Sequence, residues 1–130
     1  MKRSYIINYH SPDIDLDTFV PTVADDFGFL LQLFIGEINS DGEECFDVFV
    51  CTPKWIERNY DKQTVLIGLH TIIVQEFNFK KLMKALEELV CIEDVSWEAI
   101  SDQIRYIGLS ELDHNHWNAY KNSVKCGALG

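Results

Sequence analysis

Residues 27–53 read FGFLLQLFIGEINSDGEECFDVFVCTP, and their pattern decides the fold. Phe27 to Ile38 is aromatic and aliphatic, interrupted only by Gly28, Gln32, Gly36 and Glu37, which describes a long strand. Asn39-Ser40-Asp41-Gly42 is a turn signal, with Gly42 the residue freest to take a positive φ. Beyond it the chain alternates. Phe46, Val48 and Val50 share one face; Cys45, Asp47, Phe49 and Cys51 share the other. The two runs are expected to pair as a hairpin. Thr52-Pro53 then stops the second strand, with Thr52 suited to cap a short helix over residues 53–59 and Pro53 to open it.

Outward from the hairpin, Ser4 to His10 reads as a strand, and Ser11 to Val23, with two prolines and three alternating aspartates, as an irregular loop. Val65 to Glu76 is a third long β run, apolar through Ile72, Ile73 and Val74, as expected of a strand covered on both faces. Asn78 caps a following helix whose stripe is Leu82, Leu86 and Leu89, joined by Met83 and Val90. Asp94 or Ser96 caps another, where Trp97, Ile100, Ile104 and Ile107 recur at helical spacing before Gly108 ends it. The expected fold is α+β: an antiparallel four-stranded sheet with helices on one face. Residues 1–112 are expected to form one domain, and the weakly periodic residues 113–130 a partly mobile tail.

The chain has 130 residues, enough for one core without disulfide staples. Its 11 basic and 21 acidic residues give a net charge of −10, which argues against nucleic acid and anionic membranes as partners. The charge is uneven: residues 1–53 carry a net −8 and residues 54–130 a net −2. Either an acidic face is simply solvated, or it meets a basic partner. The apolar stretch after Lys2 and Arg3 is too short for a secretory core, and the longest apolar run, Phe27 to Ile38, is too short for a membrane helix. Cys45, Cys51, Cys91 and Cys126 match no redox or zinc spacing, and Cys45 and Cys51 lie too far apart along one strand to pair. Free thiols in a reducing cytoplasm follow.

Catalytic motifs are lacking: no nucleophile elbow, no phosphate loop, no zinc-protease helix. His114 and His116, with Asp113 and Cys126 nearby in sequence, are the best metal candidates, and a small metal-dependent hydrolase is the enzyme alternative. His70 fits a satisfied core or rim histidine better than a base. Asp13, Asp15 and Asp17 open like a calcium loop, but Thr18 and Ala24 stand where its glycine and glutamate belong. Trp55 and Trp97 both open helices as core anchors. No cofactor is expected.

The run from Cys45 to Ile56 resembles the F-D-V-x-V-C-T-P-x-W-L core of the immunity protein 8 family of bacterial polymorphic toxin systems. Gly68 to Phe77 is similar to that family's G-x-x-x-x-I-V-x-E-Y strand, and Trp97 to Tyr106 to its closing W-x-x-x…L-x-R helix. The similarity covers Phe27 to about Leu112, but Leu109 to Leu112 stands where the family carries a second tryptophan. The resemblance implies a small cytoplasmic, non-enzymatic protein that neutralises a cognate toxin domain by binding it. An acidic inhibitor suits a toxin with a basic surface. Asp41, Glu43, Glu44 and Asp47, the densest acids around the hairpin, are the expected toxin contacts. Phe49, on the Asp47 face, serves as an interface anchor wherever it is exposed. A general intracellular adaptor is the remaining alternative.

Overall fold

The computed structural model describes residues 1–60 and 65–113. The strands are β1 (Lys2–His10), β2 (Gly28–Glu37), β3 (Glu44–Cys51), β4 (Thr71–Ile73), β5 (Glu93–Asp94) and β6 (Leu109–Ser110). The helices are α1 (Pro53–Asn59), α2 (Phe79–Val90) and α3 (Trp97–Ile104), and a 3-10 turn follows at Glu111–Asp113.

The expected hairpin is present, with β2 antiparallel to β3 from Gly28↔Cys51 to Ile35↔Glu44. The sheet, however, is six-stranded and mixed, not four-stranded and antiparallel. Its order is β4-β3-β2-β1-β5, and β6 also pairs with β3. β4 runs parallel to β3 because the chain between them crosses over through α1 instead of turning back tightly. β5 and β6 are two residues each, too short to carry a period. The long run expected over Val65 to Glu76 shrinks to Thr71–Ile73, and Val65 and Ile67 are exposed rather than covered on both faces.

Register divides the sheet into two faces. Phe29, Leu31, Leu33 and Ile35 of β2 and Phe46, Val48 and Val50 of β3 are buried on one face. Leu82, Met83, Leu86 and Val90 of α2 and Ile100 and Ile104 of α3 complete that core. The α2 stripe advances by four, through Leu82, Leu86 and Val90, so Leu89 falls outside it and is half exposed. Phe19, Phe27, Phe29 and Phe77 close one end with edge-on and stacked rings 5.1–6.4 Å apart.

The expected caps form at Thr52, Asn78 and Ser96. Thr52 is fully buried, and its Oγ1 accepts from Trp55 N at 3.3 Å and Phe27 N at 3.1 Å, joining α1 to the start of β2. The glycines act differently from the sequence expectation. In the hairpin turn Asn39 takes the left-handed conformation (φ 69), and Gly42 does not. Gly36 is required instead by close approach: a Cβ there would lie 2.5 Å from Gly42 O and from Ile7 Cδ1. Gly108 likewise faces Phe46 and Val48 at 3.1 Å.

Candidate partner-binding surface

The sheet face opposite α2 and α3 carries Tyr5, Ile7 and Asn8 of β1, Leu30, Gln32 and Phe34 of β2, Cys45, Asp47, Phe49 and Cys51 of β3, and Thr71 and Ile73 of β4. Among the described residues, helical cover on this side is limited to one corner, where α1 lays Trp55 against Gly28 and Phe49. A Cβ on Gly28 would sit 2.6 Å from Trp55 Cε2, so this glycine is what lets the indole lie flat on the sheet. The Trp55 ring is 4.9 Å from Phe49 and 6.0 Å from Tyr60. These aromatics, with Cys51, Ile73 and residues 66–68, wall a hollow of about 440 Å³. The helices therefore do not all pack on one face, because Trp55 anchors α1 to the second one. The quoted C-T-P-x-W stretch is thereby explained. Cys51 ends the strand, Thr52 caps, Pro53 starts the helix, and Trp55 folds back over Gly28.

The four hairpin acids separate. Asp41 and Glu43 are exposed, and Asp47 is half-buried on the open face. Glu44 points the other way, opposite Ile35, and is 4% exposed. It is thus not part of a surface cluster. Its carboxylate accepts from Trp97 Nε1 at 3.1 Å, from Ser101 Oγ at 3.0 Å and from Ser110 Oγ. The Arg105 guanidinium lies 3.7 Å away and also holds Asp102 at 2.9 Å and Asp113 at 2.7 Å. Trp97, Ser101 and Arg105 are spaced i, i+4, i+8, one stripe of α3 aimed at a single buried carboxylate. The tryptophan and arginine of the quoted closing helix thus hold α3 to β3.

Asp47, Glu111 and Glu43 surround the Cys45 thiol. Burial, followed by repulsion from these carboxylates and a contact from Sγ to Asp47 Oδ1, pushes the thiol up to about 12. Burial alone raises Cys51. Cys45, Cys51 and Cys91 are free thiols. Lys54 and Arg58 of α1 bind Asp25 at 2.8 Å and Asp26 at 3.0 Å. Those side-chain hydrogen bonds lower Asp25 and raise Lys54 and Arg58.

Among the described residues there is no group of three or more potential metal ligands, and His114 and His116 lie outside them. All of the 113–130 tail except Asp113 also lies outside the described residues. The aspartate loop is spoken for in part: Asp13 accepts from Leu30 N at 2.7 Å and Asp15 from Asp17 N at 3.0 Å. His70 is a satisfied rim residue. Its ring Nε2 lies 3.2 Å from Arg105 O and its carbonyl accepts from Phe49 N at 2.9 Å. No described helix is long and apolar enough to cross a membrane.

A small α+β domain with one face packed by two helices and the other a sheet bearing aromatics and acids is built to present a surface. The chain belongs to the Immunity protein 8 family, whose model matches residues 5–115. No curated protein and no solved structure was found to match it.

Proposed function

We propose that the protein is a cytoplasmic immunity protein that neutralises a cognate toxin domain by stoichiometric, charge-assisted binding, without catalysis. Membership of the Immunity protein 8 family carries this reading. The net charge of −10 supports a toxin partner with a basic surface, because opposite potentials raise the encounter rate and penalise wrong partners. Asp41, Glu43 and Asp47 are the acids proposed to meet it, with Glu44 holding the strand from behind. The test is co-expression with the toxin domain encoded beside this chain's own gene. Restored growth and a 1:1 complex are expected. Continued killing with both proteins present overturns the reading.

A further inference from the structure

Resting on that reading, we infer that the toxin docks on the open sheet face, inserting an apolar side chain flanked by lysine or arginine into the hollow between Phe49, Trp55 and Tyr60. Three observations support this. The hollow has the size and aromatic lining of a site that buries a large side chain, and its rim is apolar and solvent-facing. Ile73 is 58% exposed and Ile67 78%, and Tyr5 and Ile7 extend the apolar surface across β1. Exposed aliphatic and aromatic groups gathered on one face of a small domain mark an interaction surface.

The charge beside the hollow specifies the occupant. Cys45, Asp47 and Phe49 are successive open-face positions of β3, so the acids around Cys45 lie roughly 13 Å from the hollow along the strand. Glu43, Asp47 and Glu111 converge there. The one arginine or lysine at an open-face position of β1 to β4 is Arg3, at the far strand, and Glu93 holds it at 2.8 Å. The two described cations of α1 are matched by Asp25 and Asp26. An apolar centre with an acidic flank fits a partner whose anchor has cations beside it, and a single interface of ordinary size spans both.

The probe is the toxin domain encoded beside this chain's gene, titrated against the full chain. Ile67→Arg and Ile73→Arg place a cation at the rim where a basic partner arrives, so binding is expected to weaken by about tenfold or more. Val95→Arg, an equally exposed position by the opposite sheet edge, is expected to bind within about twofold of wild type. Hydrogen exchange of the wild-type complex gives a readout that needs no variant. Slowed exchange is expected over residues 49–56 and 66–73. If the rim variants bind normally while wild type forms a complex, or if protection is confined to residues 79–104, this docking face is wrong and the immunity reading stands. Protection of the face already complete in the free chain, whether from a second copy or from the chain itself, also overturns it. If no complex forms with wild type, the immunity reading fails and this inference falls with it.

Discussion

Replacing Glu44 by alanine separates a folding role from a binding role. The wild-type carboxylate satisfies one indole N–H and two serine hydroxyls in a site that is 4% exposed. Arg105 retains Asp102 and Asp113, so its charge is not orphaned. An unsatisfied buried donor costs about 1–3 kcal/mol, and the serine hydroxyls are free to rotate to other acceptors, so the indole dominates and the whole change costs about 3 kcal/mol. That is a large share of the ~5–15 kcal/mol that holds a domain together. With a urea slope of about 2 kcal/mol/M, the midpoint falls by about 1.5 M at unchanged slope. Urea unfolding followed by circular dichroism measures it. Glu44→Gln keeps one acceptor but turns an amide N–H donor toward donors, and lands between. Toxin affinity of the folded Glu44→Ala fraction is expected to stay within about twofold. A variant as stable as wild type that no longer binds toxin refutes the reasoning and puts Glu44 in the interface.

Further outcomes follow from the same geometry. Gly28→Ala forces a methyl to 2.6 Å of the Trp55 ring and is expected to cost about 1–3 kcal/mol, read as a lower urea midpoint with a changed near-ultraviolet signal. Thr52→Val strips the acceptor shared by Phe27 N and Trp55 N, with an expected loss of about 2 kcal/mol that Thr52→Ser largely restores; equal midpoints for Thr52→Val and wild type count against the cap. The Cys45 thiol, held at about 12, is protonated at pH 8, so its alkylation is slow; Asp47→Asn removes a repelling charge, lowers that value and speeds the reaction. Because the folded thiol sits above its ordinary 9.0, its neutral form stabilises the fold below pH 9, and that contribution is lost as pH rises from there toward 12. Reversing the exposed pair with Asp41→Lys and Glu43→Lys is expected to slow toxin association and flatten its salt dependence, measured by stopped-flow; an unchanged on-rate at low salt rejects the pair as steering charges.

The hairpin and the three caps were legible because each is set by neighbours in sequence. Alternation places Phe46, Val48 and Val50 together whatever lies above them, and Thr52 and Ser96 cap through backbone groups three residues on. The parts that escaped depend on contacts distant in sequence. Nothing near Val65 to Glu76 states that the register with β3 covers only Thr71–Ile73. Nothing near Leu109 shows that it pairs with Asp47. Glu44 is the instructive case. Counting acids along the hairpin groups it with Asp47, yet the period-two rule that sorts Phe46 from Asp47 also puts Glu44 with Phe46, on the helix side. Trp97, Ser101 and Arg105 at intervals of four supply the matching signal, a polar stripe on a helix whose apolar stripe is Ile100 and Ile104. The open-face hollow had one sequence trace, Phe49 on the Asp47 face. Its other wall, Trp55, read as a core anchor because nothing local says that Gly28 lies beneath it.

One strand thereby serves two tasks, and pleating keeps them apart. The side chains of β3 that face α2 and α3 set stability; those that face outward are free to vary with a partner, provided the backbone pairing survives. On the proposed docking face, a toxin surface that changes would demand changes at Asp47, Phe49 and the rim of the hollow, and none at Glu44, Phe46 or Val48. The division has a weak point at Thr52 and Trp55, where the strand ends. There a single buried hydroxyl ties α1 to β2, and the same helix supplies the wall of the hollow. Substitutions at Thr52 should therefore lower stability and toxin affinity together, whereas those at Ile67 move affinity alone and those at Glu44 move stability alone. If Thr52→Val variants that remain folded bind as wild type does, α1 is not part of the docking surface, whatever the rest of the sheet contributes.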